Sequence, residues 1–232
     1  MGTETDGKIV IMDWEPGKET PIIKQAGLQR SGTNFLKALL MENFDCIVFG
    51  YLGGNKHRLL RKLDFREYNE LTNDLTEKQF KYYTNQMKAG KFKTIAIYKN
   101  PFAWLSSFWM AYGVGELDKA NIIKWIEIYN FKNLEWKSTR NCMVDYHKLI
   151  ADTPGELERI GKELNLKRKA EVYSFDKATG KVAEYFGERL FTEDKFLDKY
   201  TNHEYMDYFT KEQIDLIRKM NAFYEEKNKR TT

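Results

Sequence analysis

A glycine-containing segment between an apolar run and an amphipathic run has the composition of an anion-binding loop. Gly27 and Gly32 lie five positions apart (32 − 27 = 5), as the glycines do in the phosphate-binding loop G-x-x-x-x-G-K-[S/T]. Backbone N–H groups at such a turn, with the N-terminus of a helix behind them, favour an anion. Glycines that serve turn geometry alone would show the same spacing, so the neighbouring residues decide what the loop holds.

The residues after the second glycine depart from the nucleotide-hydrolase pattern. Thr33 stands where that pattern has its lysine, and Asn34 stands where it has the hydroxyl that holds magnesium. An amide is a poor replacement for that ligand, and the loop has its cation earlier, at Arg30. The sequence therefore predicts a phosphate bound without magnesium and without γ-phosphoryl transfer, which disfavours a phosphate-loop kinase.

The run "QRSGTNFL" resembles the 5′-phosphosulfate loop of the sulfotransferase family, K/R-S-G-T-T/N followed by an aromatic or aliphatic residue. That family takes a sulfuryl group from 3′-phosphoadenosine 5′-phosphosulfate (PAPS) and needs no metal. The resemblance implies a catalytic role for Arg30 at the leaving phosphate. It also implies that the whole loop contacts the cofactor: Arg30, Ser31, Gly32, Thr33, Asn34 and Phe35. Phe35 would lie near the adenine, and a core position in the first helical turn is an equal alternative.

A second motif tests the resemblance, because the family also binds the 3′-phosphate of PAPS. In the family a strand ends in arginine, an Asn-Pro or similar pair follows, and a serine lies eight residues after the arginine. Here Lys99 and Ser107 have that spacing (107 − 99 = 8), with Asn100 and Pro101 between them. A strand-end cation and a hydroxyl on the next helix can converge on one phosphate, although lysine offers a point charge in place of arginine's bidentate fork. Alone, Lys99 would be read as a solvated strand end.

The run "VDYHKL" is similar to the family's V-x-Y-E-D-L stretch. Val144, Tyr146 and Leu149 agree with that pattern, and the resemblance implies that Tyr146 contacts the cofactor. His147 and Lys148 replace the usual acidic pair. The role of those two acids in the family is therefore not carried over to this chain.

The catalytic base has several candidates. Cytosolic family members use a histidine between the two phosphate motifs, and His57 in "GGNKHRLL" is the only histidine in that interval. The resemblance implies His57 as the base, with Lys56 beside it on the sulfate. A basic, solvated helix start is an even alternative, since the pKa of histidine suits both roles. Three carboxylates in the same interval are further candidates: Glu67, Glu70 and Asp74.

Apolar runs of strand length alternate with helical patterns along the chain. Strands are predicted at residues 8–13, 21–27, 46–50, 92–100 and 140–149, and helices at 33–44, 101–112, 117–136, 153–164 and 210–227. Such alternation predicts an α/β fold with a mostly parallel central sheet flanked by helices. The 232 residues contain no repeat or linker, so one domain of the phosphate-loop sulfotransferase type is expected over 1–232, with 1–7 as a flexible tail.

Composition narrows the class of protein. A net charge of +4 and a pI near 8.8 suit a phosphorylated ligand and fall short of the basic stripe of a nucleic-acid binder. Cys46 and Cys142 do not form a disulfide framework, and no histidine or cysteine cluster has metal-ligand spacing. Neither a membrane-spanning run nor a signal-peptide pattern is found, so a cytoplasmic protein without a membrane partner is expected.

The residues and the resemblance together predict a sulfotransferase that moves a sulfuryl group from PAPS to a hydroxyl or amine. The acceptor would be a small molecule or a glycan, no metal or nucleic acid is expected, and the oligomeric state is left open. A non-catalytic relative that binds PAP, the desulfated product of PAPS, is the alternative, and a phosphate-loop kinase ranks third. The family's C-terminal Arg-Lys segment has two candidate counterparts here, Lys181 and Arg189.

Overall fold

A computed structural model describes residues 20–50, 66, 75–113, 115–169 and 203–221 of the chain. The strand predicted at 8–13 and the tail predicted at 1–7 lie outside these residues. Within them the predicted α/β class is confirmed, because a central sheet is flanked by helices.

Four strands form the described sheet: β1 (Ile22–Ala26), β2 (Ile47–Phe49), β3 (Lys93–Tyr98) and β4 (Cys142–Asp145). They lie in the order β2-β1-β3-β4, and all three pairings are parallel. Every residue of β1 is buried, including the polar Lys24 and Gln25, as expected for a strand in a parallel sheet that is covered on both faces. The prediction of a mostly parallel sheet is therefore confirmed for the described residues.

Helices cover this sheet, and their bounds follow local capping signals. The described helices are α1 (Thr33–Asn43), α2 (Glu77–Lys88), α3 (Pro101–Tyr112), α4 (Lys119–Thr139), α5 (Tyr146–Ala151), α6 (Thr153–Glu163), a 3-10 helix (Glu204–Tyr208) and α7 (Lys211–Met220). Asn100 caps α3 through its side chain, with Pro101 at the first helical position, where a missing N–H costs nothing. Thr210 forms a capping box with Gln213 at the start of α7.

The strand predicted over 140–149 is wrong in its second half. β4 ends at Asp145, and α5 begins at Tyr146. The cause is local, because a side-chain oxygen of Asp145 accepts a hydrogen bond from the backbone N–H of His147 at 3.0 Å, which is a helix N-cap. Tyr146 is therefore the first helical residue after a strand and lies at the carboxyl edge of the sheet.

The parallel arrangement places three connections at one edge of the sheet. The carboxyl ends of β1, β3 and β4 lead into the loop at 27–32, into Lys99 and into Tyr146 respectively. Because parallel strands end at a common edge, segments far apart in sequence meet there, and ligands of open α/β sheets bind at this edge. The main hydrophobic core, which includes Leu36, Trp104 and Tyr129, packs against the strands that lead to this edge.

Candidate anion-binding site

The loop after β1 is fastened by its own hydrogen bonds. The backbone N–H and the hydroxyl of Ser31 both donate to the carbonyl of Leu28, at 3.1 and 2.6 Å. Arg30 has φ 68° and Gly32 has φ 91°, so the chain passes twice through the left-handed region. The turn leaves Arg30 exposed and buries Ser31. In this conformation the polar groups of Ser31 hold the loop together.

Both glycines of the loop are required by close packing. A Cβ on Gly27 would lie 2.7 Å from Cγ2 of Thr33 and 2.9 Å from the carbonyl of Ile97. A Cβ on Gly32 would lie 2.5 Å from the ring of Tyr146. The second contact joins the loop after β1 to the residue after β4. The spacing of the glycines thus reflects turn geometry together with the approach of Tyr146.

The N-terminus of α1 points into this loop. Gly32 is the N-cap, and no side-chain cap hydrogen bond is found there among the described residues. No acidic residue lies in the first turn, and Gln25 braces the turn from β1 by donating to the carbonyl of Thr33 at 2.6 Å. The positive end of a helix dipole in such a place stabilises a nearby anion.

Phe35 belongs to the main hydrophobic core, where it is buried. Its ring meets that of Tyr146 edge to face, with centroids 6.2 Å apart. The core position weighed for Phe35 from the sequence is therefore confirmed. Its predicted approach to an adenine stays a prediction.

Lys99 is not a solvated strand end, because only 4% of it is exposed. Its ammonium lies 4.5 Å from the ring centroid of Tyr146, within the range of a cation–π interaction. A ring that touches Gly32 on the loop therefore also covers the cation of the second motif.

The two predicted motifs also meet directly. Nε of Arg30 donates to Oγ of Ser107 at 3.4 Å, across 77 positions of sequence. This contact joins the loop cation to the hydroxyl that was predicted from the Lys99 motif. One chain of contacts thus runs from Ser107 through Arg30 and the loop to Gly32, Tyr146 and Lys99.

Two buried aromatic side chains that the sequence analysis did not identify support this set. The indole N–H of Trp104 donates to the carbonyl of Gln29 at 2.9 Å. The hydroxyl of Tyr129 donates to the carbonyl of Lys99 at 2.7 Å. The one available signal was the placement of Trp104 between Lys99 and Ser107, because a buried indole N–H needs an acceptor. Nothing in the sequence identified that acceptor.

His147 follows Tyr146 in α5, close enough to Lys99 for the lysine charge to act on it. Burial, together with the charges of Lys99 and His203, lowers the pKa of His147 to about 4. The ring of His147 is 5.9 Å from that of Tyr205, whose hydroxyl is 2.6 Å from Nδ1 of His203. At neutral pH a neutral imidazole therefore adjoins the Lys99 ammonium, where the family pattern has an acid.

A separate cavity of about 250 Å³ lies against β4 and α6. Its lining consists of Tyr98, Lys137, Met143, Asp145, Lys148, Glu156 and Arg159. Arg159 pairs with Glu156 at 2.8 Å and with Glu163 at 2.6 Å, so carboxylates already compensate its charge. None of the predicted ligand-binding residues lines this cavity.

Several predicted site residues lie outside the described residues. They are His57, Lys56, Glu67, Glu70, Asp74, Lys181 and Arg189. The candidate bases and the C-terminal basic residues therefore stay predictions. In the described part of the chain, no group of three or more His, Cys, Asp or Glu residues is arranged to hold a metal ion.

No protein-family model matches the chain, and no curated protein matches it. The resemblance to sulfotransferases therefore rests on the sequence motifs and stays a prediction. Among the described residues, no helix combines the length and apolar character needed to cross a membrane.

Proposed function

We propose that the protein is a sulfotransferase that uses PAPS, with the nucleotide bound across the carboxyl edge of β1 and β3. The observation that carries this proposal is the contact between Arg30 and Ser107. These two residues come from two separate motifs of the same family resemblance, one marked by a glycine spacing and one by a lysine–serine spacing. A ligand that spans both motifs needs two anionic groups, and PAPS carries a 5′-phosphosulfate and a 3′-phosphate.

The 5′ end of the ligand is assigned to the loop and to α1. Arg30 and the N-terminus of α1 supply positive charge and N–H donors, and the side-chain amide of Asn34 adds a donor in the first turn. Thr33 occupies the position of the lysine that a phosphate-loop kinase uses. This substitution supports sulfuryl over phosphoryl transfer.

The 3′ end is assigned to Lys99 and Ser107. The Lys99 ammonium is buried beside the ring of Tyr146, and a buried charge is screened little by solvent. A charge-assisted contact from such a group is among the stronger hydrogen bonds. The ring of Tyr146 contacts both Lys99 and Gly32, and we assign Tyr146 and its neighbour Phe35 to the adenine, which packs against aromatic rings.

The reaction is an in-line displacement at sulfur. An acceptor oxygen or nitrogen forms a bond to sulfur while the bond from sulfur to the 5′-phosphate oxygen breaks, and the electron pair of that bond leaves with PAP. The acceptor proton passes to a base, for which His57 is the first candidate and Glu67, Glu70 and Asp74 follow. Arg30 and the α1 N-terminus oppose the charge that grows on the leaving phosphate, which is the general role of fixed donors at a reacting centre.

Thermal unfolding with nucleotides, followed by turnover of PAPS, tests the proposal. PAP at about a hundred times its dissociation constant should add about 2.7 kcal/mol of stability. For a chain of this size the Tm should rise by about 5–10 °C, and ATP with magnesium should raise it less. Absence of any shift with saturating PAP would contradict the proposal. Binding of PAP without turnover over a panel of hydroxyl and amine acceptors would favour a non-catalytic PAP-binding protein.

A further inference from the structure

Two buried aromatic side chains donate hydrogen bonds to backbone carbonyls of the two anion-binding motifs. Trp104 and Tyr129 are each 1% exposed. Trp104 bonds to the carbonyl of Gln29, directly before Arg30, and Tyr129 bonds to the carbonyl of Lys99 itself. Both acceptors are thus backbone atoms in or next to residues assigned to the ligand.

The two aromatic rings are also in contact with each other. Their centroids are 5.3 Å apart, with an interplanar angle of 40°. Trp104 belongs to α3 and Tyr129 to α4. A single packed pair within the core therefore connects the loop after β1 to the end of β3.

These hydrogen bonds act on more than the carbonyl groups. A peptide unit is planar and trans, so fixing the direction of the Gln29 carbonyl also fixes the N–H of Arg30, which points the opposite way. In the same manner, the bond from Tyr129 fixes the peptide between Lys99 and Asn100. Arg30 is in the left-handed region at φ 68°, a conformation that persists only where the surroundings enforce it.

We propose that Trp104 and Tyr129 are positioning residues that hold the two anion-binding segments at a fixed separation. Tyr129 thereby sets the selectivity for nucleotides that carry a 3′-phosphate, and Trp104 sets the affinity for the 5′-phosphate that PAP and AMP share. This inference rests on the proposed function, because PAP is the ligand that would contact both segments. Trp104 acts through the Gln29–Arg30 peptide, and Tyr129 acts through Lys99.

Conservative substitutions isolate the two hydrogen bonds. Tyr129→Phe removes one hydroxyl, and the lost bond should weaken PAP binding about 5-fold. AMP affinity should be unchanged, because AMP has no 3′-phosphate for Lys99. Trp104→Phe should weaken PAP and AMP by similar factors, because it loosens the segment that holds the 5′-phosphate. Dissociation constants from calorimetry and thermal unfolding of each variant are the measurements.

Matched controls separate positioning from general stability. Tyr83→Phe removes a hydroxyl from a buried tyrosine of the smaller core cluster, and Trp136→Phe truncates a fully buried indole of the main cluster. Both should lower the Tm without changing the ratio of PAP to AMP affinity. In a Lys99→Ala background, Tyr129→Phe should have no further effect on PAP binding, because Tyr129 acts through Lys99.

The outcomes distinguish this inference from the proposed function. Failure of the wild-type protein to bind PAP would overturn both. If the wild type binds PAP normally, either of two results in folded Tyr129→Phe would overturn only the positioning role. One is an unchanged ratio of PAP to AMP affinity, and the other is a ratio lowered by the same factor as in the controls. If Trp104→Phe does not fold, the Tyr129→Phe result decides alone.

Discussion

The two cations of the candidate site are held in opposite ways. Arg30 is exposed on a left-handed turn, and the turn is fastened largely by bonds from Ser31 to Leu28. Lys99 is buried beside Tyr146, and its carbonyl is fixed from another helix by Tyr129. An exposed cation can adjust to a group that changes during a reaction, whereas a buried cation suits a part of the ligand that stays in place. This difference favours Arg30 for the sulfuryl end and Lys99 for the 3′-phosphate.

Arg30→Ala should give the largest effect, on turnover rather than on stability. Removing one donor from a developing negative charge costs about 10²–10³ in rate. Because Arg30 is exposed, the unfolding free energy should change by less than about 0.5 kcal/mol. Steady-state turnover of PAPS measures the change in rate, and chemical denaturation measures the change in unfolding free energy. Arg30→Lys is the control that keeps the charge, and a turnover equal to that of Arg30→Ala would mean that the fork geometry matters more than the charge.

Gly32→Ala should break the contact between the loop and Tyr146. A Cβ there would lie 2.5 Å from the ring, and φ is 91°, so steric overlap adds to backbone strain. We expect a loss of about 2–4 kcal/mol in unfolding free energy. Gly90→Ala is the matched control, because its φ is 72° and nothing lies within 4 Å of an added Cβ. That variant should lose only about 1 kcal/mol, the cost of a Cβ in the left-handed region, and equal losses in the two variants would remove the argument for close packing at Tyr146.

His147 should make the protein less stable in mild acid. Its pKa in the folded protein is about 4, below the ordinary value of 6.5, so between these values the unfolded chain binds a proton that the folded chain does not. The stability is complete above about pH 6.5 and falls as the pH drops toward 4, by about 2–3 kcal/mol between pH 7 and pH 4.5. Denaturation curves of the wild type and His147→Gln at both pH values measure this loss. A variant with the wild-type decline would show that His147 is not its source.

Ser107→Ala should have the smallest effect. Ser107 is half-buried and accepts a 3.4 Å hydrogen bond from Arg30, so one hydroxyl is lost without a cavity. We expect PAP affinity to fall by about 0.5–1.5 kcal/mol, the worth of one hydrogen bond, and AMP affinity to fall less. Ser106→Ala is the control, because the Ser106 hydroxyl donates within α3 to the carbonyl of Ala103 at 3.3 Å. Equal changes in both variants would mean that Ser107 does not contact the 3′-phosphate.

The loop and the lysine–serine pair could be predicted from sequence because each is a short-range pattern. Gly27 and Gly32 predict a turn between a strand and a helix, and Lys99 and Ser107 lie on either side of one strand–helix junction. The end of β4 was misplaced because the Asp145 cap acts over two residues and interrupts an otherwise strand-like run. As a result, Tyr146 was predicted within a strand, whereas it is the first residue of α5.

The residues that hold the site in place could not be predicted from sequence in the same way. Trp104 bonds to a carbonyl 75 residues earlier, and Tyr129 to one 30 residues earlier. A backbone carbonyl is present at every residue, so no residue type marks the partner. The burial of Lys99 has the same origin, because the ring that covers it comes from the end of a different strand.

The affinity ratio of PAP to AMP in the wild type and in Lys99→Ala tests most directly whether the two motifs form one site. Lys99→Ala should lower PAP affinity by about 1.5–3 kcal/mol, the worth of a charge-assisted contact, and should leave AMP affinity unchanged. Lys99→Arg should preserve the ratio, because it keeps the charge. Equal losses for PAP and AMP, or no loss for either in a folded Lys99→Ala protein, would contradict a two-phosphate site spanning the loop and the end of β3.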